Sequence, residues 1–252
     1  MNKLPTRIHR YRAYVLTLFC TAALVIGTAL LSPSGRRQNQ PARSANSFVD
    51  STGINTHLSY DNGYHNATNT TSGNLGVSEE VAGRYIPRLL LEQFNYGIPR
   101  TWGYELIDTY NNPNDLEANF GLLRNDGSEK PAYVALKNLL GLLKDPGSNF
   151  TAKTLDYALS GDTTNIHHTL LQKRDGKFYL ILWQEVSSFD LQTKTGSSVP
   201  SQPLTLTLNT IISQAAIYEP NNSITPIEKY TKPQQLALQV PDYPLVIELV
   251  PA

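Results

Sequence analysis

Three residues that could contact a ligand, Trp102, Tyr104 and Glu105, stand together in the segment IPRTWGYELID. The segment alternates as a β-strand does, which predicts Trp102 and Tyr104 on one face and Glu105 on the other. Aromatic faces suit the apolar faces of pyranose rings, whereas burial in a core is the alternative role for such side chains. The candidate residues for stacking on a sugar ring are Trp102, Tyr104, Tyr64 and His65.

Glu105 is the candidate carboxylate of this segment, either catalytic or in contact with a sugar. An unpaired charge in a protein core is costly, so a buried carboxylate here needs a partner. Arg100, Arg124 and His65 are the candidates for that partner. Both interpretations stay open, and we favour a structural Glu105 held in an ion pair. Asp108, which follows the strand, is expected to cap the next loop.

Other reactive residue types form no recognisable constellation. His167 and His168 are adjacent on a predicted strand, so their side chains should point to opposite faces and cannot share a metal ion. The chain has no phosphate-binding glycine loop, no Cys/His cluster and no serine nucleophile elbow. We therefore predict neither a metal nor a cofactor.

Charge and cysteine content exclude some classes of protein. The chain has 252 residues, with 21 Lys and Arg against 21 Asp and Glu. This balance provides no electrostatic argument for a nucleic-acid partner. Cys20 is the one cysteine, so an intramolecular disulfide is impossible.

The N-terminus predicts export. Four basic residues precede an uncharged apolar stretch of 19 residues, 13–31, which is long enough to span a membrane once. The basic side should stay in the cytoplasm and place the rest of the chain outside. For residues 1–31 we favour an uncleaved signal anchor over a cleaved signal peptide. Residues 32–46 are polar and contain Pro, Ser and Arg, which predicts a linker.

Residues 47–146 alternate between predicted strands and helices. An extended strand is expected within 47–60, followed by a loop rich in Asn, Thr and Gly. Ser78 should cap a helix over 79–96, since Glu79 and Glu80 suit a first turn. After the strand at 98–108, a second helix should begin at Pro131 and run to about Leu143.

The last part of the chain, 147–252, has a different sequence pattern. Seven short apolar or alternating segments recur at spacings punctuated by turns, and Asp175-Gly176 is a hairpin signal. This pattern is typical of an antiparallel β-sandwich. Trp183, in the apolar segment FYLILWQE, is expected in its core. The predicted fold class is therefore mixed α+β.

The segments GYHNATNTTSGNLGVSEE, IPRTWGYELID and NFGLLRNDGSEKPAYVAL together resemble the last third of a (β/α)8-barrel glycoside hydrolase of the retaining clan. FVDSTGINTHLSY resembles the first barrel strand of the same family, and a C-terminal β-sandwich is common in it. The resemblance implies a partial barrel in 47–146 and a sandwich in 147–252. It also implies hydrolysis of O-glycosyl bonds in polysaccharides.

The sequence departs from that family at the catalytic residues. A retaining enzyme needs an acid/base carboxylate and a nucleophile about 5 to 5.5 Å apart. The family's acid/base lies in an Asn-Glu pair, and this chain contains none. The barrel strands two to six are missing between Tyr60 and Gly63, and Asp61 stands where the resemblance implies a Glu nucleophile.

Three functional hypotheses follow. The first is a truncated, catalytically inactive, glycoside-hydrolase-like protein that is exported and membrane-anchored, with Asp61 and Glu105 as its remaining candidate carboxylates. The second is a non-catalytic module that binds glycan or cell wall through the sandwich. The third is a gene remnant without a function. For the first two, the expected partners are a polysaccharide or oligosaccharide and the membrane.

Overall fold

The computed structural model describes residues 36–55, 76–190 and 192–252, which belong to the unit Gly35–Ala252. The predicted anchor at 13–31 and the candidate residues Asp61, Tyr64 and His65 lie outside the described residues. None of the described helices is long and apolar enough to cross a membrane.

The described residues are mostly strand, with three α-helices and one short 3-10 helix. The helices are α1 (Ala45–Ser51), α2 (Glu79–Asn95) and α3 (Pro131–Leu143), and the 3-10 turn is Glu117–Asn119. The strands are β1 (Arg36–Pro41), β2 (Arg43–Ser44), β3 (Thr52–Asn55), β4 (Thr101–Tyr104), β5 (Thr154–Gly161), β6 (Ile166–Gln172), β7 (Phe178–Gln184), β8 (Phe189–Asp190), β9 (Thr195–Gly196), β10 (Gln202–Leu208), β11 (Ile212–Tyr218), β12 (Glu228–Thr231), β13 (Gln235–Val240) and β14 (Leu245–Pro251).

Two sheets pack face to face and form a sandwich. One has four strands in the order β1-β5-β10-β13, and the other has six in the order β12-β11-β14-β7-β6-β2. Their facing side chains, among them Leu155, Leu206 and Ile247, share one buried apolar cluster. The seven strands predicted after residue 150 are all present, as β5, β6, β7, β10, β11, β13 and β14.

β7 contributes side chains to two apolar clusters, one on each face of the six-stranded sheet. Phe178, Leu180 and Leu182 face the opposite sheet, whereas Tyr179, Ile181 and Trp183 belong to a second apolar cluster with the three helices. Every residue of β7 is buried, because both of its faces are covered. A continuous apolar run is the pattern expected of such a strand.

The helices cover the outer face of the six-stranded sheet. The predicted cap of α2 is confirmed, since the Ser78 Oγ accepts a hydrogen bond of 3.3 Å from the Val81 amide. Leu91 of α2 and Leu139 of α3 are fully buried in the cluster that contains Trp183. The division into domains at residues 146 and 147 stays a prediction about independent folding.

The sequence interpretation of residues 32–60 was wrong in two places. Residues 36–41, predicted as linker, form β1 and pair with β5 in antiparallel register. Residues 45–51, of which 45–46 were predicted as linker and 47–51 as part of a strand, form α1, in which Ala45 and Phe48 are fully buried. β1 is a polar edge strand that is held by backbone hydrogen bonds to β5 and not by an apolar face. Its composition alone therefore suggests a linker.

The described residues contain no closed barrel. β3 and β4 form a sheet of two parallel strands, with Gly53 opposite Trp102. Strands one and eight are neighbours in a (β/α)8 barrel, and the resemblance assigns these two segments to those strands. The expectation of a barrel is corrected to this single pair, because a barrel requires eight strands to close.

Candidate functional site

Trp102 is the most unusual side chain on β4. It is 58% exposed, although it is a tryptophan in the middle of a strand. Its ring lies against the backbone of Gly53 on the neighbouring strand, where a Cβ would come within 2.4 Å of the ring carbon Cε3. Only glycine opposite Trp102 leaves room for the ring in this position. The indole is therefore supported by a strand on one side while much of its surface remains exposed.

Exposed aromatic side chains are concentrated around this strand. Tyr96, Trp102 and Tyr110 are the exposed aromatic residues in the described parts of the chain, and all lie within 96–110. Ile98 and Ile107 in the same segment are also exposed. Such a concentration of exposed apolar area is typical of a binding surface.

Glu105 directly follows β4 and is buried, with 8% of its surface exposed. Its amide donates to the Phe120 carbonyl over 3.3 Å, and its carbonyl accepts from the Leu122 amide over 3.1 Å. The Thr109 hydroxyl donates to its Oε1 over 3.1 Å. These contacts fix the carboxylate at the carboxyl end of β4.

Tyr104 links the carboxylate to the aromatic part of the site. Burial, followed by the charge of Glu105 and a hydrogen bond to it, raises the pKa of the Tyr104 phenol. The ring meets Phe120 edge to face, with 5.9 Å between the ring centroids. Tyr104 is therefore a neutral phenol beside a carboxylate, which together can donate and accept hydrogen bonds.

The favoured ion pair for Glu105 is absent among the described residues. Arg124 pairs instead with Glu79 at the start of α2, and Arg100 is exposed. Hydroxyl groups, from Thr109 and Tyr104, partner the Glu105 carboxylate in place of a cation. His65, the third candidate partner, lies outside the described residues, so a pair between Glu105 and His65 stays a prediction.

Asp108 has the structural role that was predicted for it, and its main partner was missed. Its Oδ1 accepts from the Gly121 amide over 2.8 Å and so fixes the loop. The Lys130 ammonium, itself buried, donates to the same carboxylate over 2.8 Å. Burial of both charges makes this a structural ion pair. Lys130 has no sequence signal beyond its place before Pro131 at the start of α3.

His167 and His168 lie on opposite faces of β6, as strand alternation predicted. His167 contacts Glu92 of α2, whereas His168 meets the Tyr157 ring edge to face at 6.2 Å. Burial, and then the charge of His167, lowers the pKa of His168. The two imidazoles therefore share no ligand.

The polar groups around β4 include two buried carboxylates, Glu105 and Asp108. Glycoside hydrolysis needs two carboxylates that flank the bond. Glu105 is one, and Asp108 is tied to Lys130. What the described residues provide at this site is an exposed aromatic ring with a hydroxyl and a carboxylate at the end of the same strand.

No protein family model matches the chain, and no curated protein matches it. Among solved structures, it is similar to a family 39 glycoside hydrolase from the gut symbiont Bacteroides cellulosilyticus WH2, with 16% sequence identity and a TM-score of 0.48. The similarity covers 68% of this chain and 30% of that chain, so this chain spans less than a third of the length of that protein.

Proposed function

We propose that this protein binds carbohydrate through the surface around Trp102 and does not hydrolyse it. The single observation that carries the proposal is the Trp102 ring, which lies on the backbone of Gly53 and remains 58% exposed. An indole held flat from below presents a rigid apolar face at little entropic cost. Such a face complements the C–H groups on one side of a pyranose ring.

Polar groups beside the ring would give the sugar its orientation. Tyr104 follows Trp102 on β4, Glu105 comes directly after the strand, and Thr109 holds the Glu105 carboxylate. A hydroxyl-rich ligand needs both donors and acceptors, and a phenol with a carboxylate supplies both. Small-molecule sites commonly combine an apolar lining with a few fixed polar groups in this way.

The sandwich is a weaker candidate for the binding surface. Its exposed large apolar side chains in the described residues are Ile211, Ile224 and Ile227, without an exposed aromatic ring. Its aromatic residues Trp183 and Tyr179 are buried under the helices. Binding through the sandwich would therefore lack a stacking surface.

The absence of hydrolysis is the second part of the proposal. Glu105 is buried and held by hydroxyl donors, and Asp108 is neutralised by Lys130. Loss of one member of a catalytic pair of carboxylates removes several orders of magnitude in rate. We therefore expect binding of intact polysaccharide without release of reducing ends.

Binding is tested by titrating the full chain with soluble β-glycan oligosaccharides and by pull-down on insoluble polysaccharides. Trp102→Ala should weaken binding at least about tenfold, which corresponds to about 1.4 kcal/mol. Gly53→Val should weaken it similarly, because the new side chain displaces the ring from below. Ile211→Ala, at an exposed apolar side chain of the sandwich, is the control and should bind normally.

Equal binding by wild type, Trp102→Ala and Gly53→Val would exclude this surface as the binding site. Reducing-end assays on the same glycans test the second part. Turnover that Glu105→Gln abolishes would show that the protein is a glycosidase after all.

The proposed place of binding is outside the cytoplasm, with residues 13–31 as the membrane anchor. Fractionation of expressing cells should then find the full-length chain in the membrane. External protease should degrade the part after residue 31. A chain that stays protected in intact cells would contradict this proposal.

A further inference from the structure

Three side chains with metal-binding atoms converge where α2 meets the six-stranded sheet. Glu92 lies near the C-terminal end of α2, His167 lies on β6, and Glu185 directly follows β7. One ligand atom from each lies within 4.8 Å of the other two. His167 Nδ1 already contacts Glu92 Oε1. The three residues are distant in sequence, so only the fold brings them together.

Glu185 is held in place by neighbours that leave room for another ligand on its carboxylate. The Trp183 indole N–H donates to Oε2 over 3.0 Å, and Arg88 Nη2 donates to Oε1 over 2.7 Å. Each carboxylate oxygen has two lone pairs, so one remains on each. Outer-shell hydrogen bonds of this kind orient the carboxylate ligands of protein metal sites.

We propose that Glu92, His167 and Glu185 bind a divalent transition-metal ion, with Zn²⁺ as the ion best suited to them. One imidazole nitrogen and two carboxylate oxygens are ligands that Zn²⁺ accepts, and a water molecule completes a tetrahedron. Tetrahedral ligands at normal bond lengths lie about 3.3 Å apart. Side-chain rotations of Glu92 and Glu185 close the difference from the observed spacing.

Accessibility and charge both favour a cation at this position. The side chains of His167 and Glu185 are 39% and 37% exposed, so an ion can enter from solvent. Glu92 is more buried, at 17%. With a neutral imidazole, the two carboxylates and the Arg88 guanidinium have a net charge of minus one. A bound divalent ion would change this net charge to plus one. The hydrogen bond between Glu92 and His167 does not explain why a Glu185 carboxylate oxygen lies within 4.8 Å of both.

The occupied site would join α2 to β6 and β7 at the end of the helix that leads into β4. Its role is therefore structural. Ligands come from three elements, so metal binding should stabilise the folded chain over the unfolded one.

Isothermal titration of the full, metal-free chain with ZnCl₂ tests the proposal. We expect one high-affinity Zn²⁺ per chain and a rise in Tm that depends on Zn²⁺ concentration. Glu92→Gln and His167→Gln should each weaken the affinity at least about tenfold, since loss of a ligand exceeds loss of an outer-shell bond. Glu80→Gln, an exposed carboxylate on the first turn of α2, is the matched control.

Two further measurements separate a metal site from a mere ion pair. Co²⁺ in place of Zn²⁺ should give the intense visible absorption of a tetrahedral site, and Glu92→Gln should remove it. Trp183→Phe keeps an aromatic ring, although a smaller one, but removes the hydrogen bond to Glu185, and should weaken Zn²⁺ binding about tenfold. The proposal is overturned by an absence of Zn²⁺ binding, or by affinity that is unchanged in both Glu92→Gln and His167→Gln.

Discussion

The two tryptophans of the chain lie in β-strands with opposite surroundings. Trp183 on β7 is fully buried, whereas Trp102 on β4 is 58% exposed. β7 has a strand on each side and is covered on both faces, by the opposite sheet and by the helices. Among the described strands, β4 has one beside it, β3. The neighbours of a strand, and not its aromatic content, decide whether its tryptophan stabilises the fold or remains available to a ligand.

The sharpest test of this difference is the removal of each tryptophan. Trp183→Ala should lower the free energy of unfolding by about 4 kcal/mol, because it leaves a cavity and removes one hydrogen bond to Glu185. Trp102→Ala should cost about 1 kcal/mol or less, since most of the ring is already in water. Urea denaturation measures both. Equal losses would contradict the contrast between the two strands.

A second test concerns the buried ion pair between Asp108 and Lys130, which we expect to stabilise the loop after β4. Lys130→Met leaves the buried Asp108 carboxylate without its cation, and should destabilise the protein by about 3 kcal/mol. Lys137→Met, on the same helix, breaks an exposed pair with Glu129 and should change stability little. If the two variants unfold at the same urea concentration, the Asp108–Lys130 pair does not anchor the loop beside Glu105.

The smallest expected effect concerns the edge strand of the sandwich. Arg37 Nε donates to Asp156 over 3.0 Å, and Asn209 donates to the same oxygen over 3.0 Å. These bonds, first the one from Arg37, lower the pKa of Asp156 from 3.8 to about 2. A lowered pKa in the folded state stabilises it above about pH 3.8, and the contribution disappears as the pH falls towards 2.

Arg37→Gln should therefore return the pKa of Asp156 part of the way towards 3.8, with Asn209 still bound. Carboxyl chemical shifts in an NMR titration between pH 1.5 and 6, roughly the range in which a carboxylate titrates, report this value directly. A pKa that is the same in the variant and the wild type would show that β1 does not depend on this ion pair at its edge.

Strong local patterns predicted much of the architecture. The seven apolar segments after residue 150 are strands, and Ser78 caps α2 as its position before two glutamates suggested. The prediction failed at β1 and α1, which are short and depend on partners far along the chain. A polar hexapeptide becomes a strand when β5 satisfies its backbone, and no local periodicity signals this.

The choice of site residues stays a prediction. Trp102, Tyr104 and Glu105 were identified from residue type, but the partners of Glu105 were not. The Thr109 hydroxyl donates to Glu105, and Arg124, one of the three candidate partners, is used by Glu79. The glycine in TGIN was a usable signal, since a glycine inside a strand often marks a close approach of another group.

The sequence by itself determined which segments bury apolar faces, because period and turn residues are local properties of the chain. It also determined that Trp102, Tyr104 and Glu105 occur together, because they are neighbours in one strand. Only the tertiary structure decided that Trp183 packs under the helices and not between the sheets, that Gly53 supports Trp102, and that Glu92, His167 and Glu185 meet. Each of these outcomes depends on elements brought together from distant parts of the chain, and burial and charge pairing are set by those neighbours.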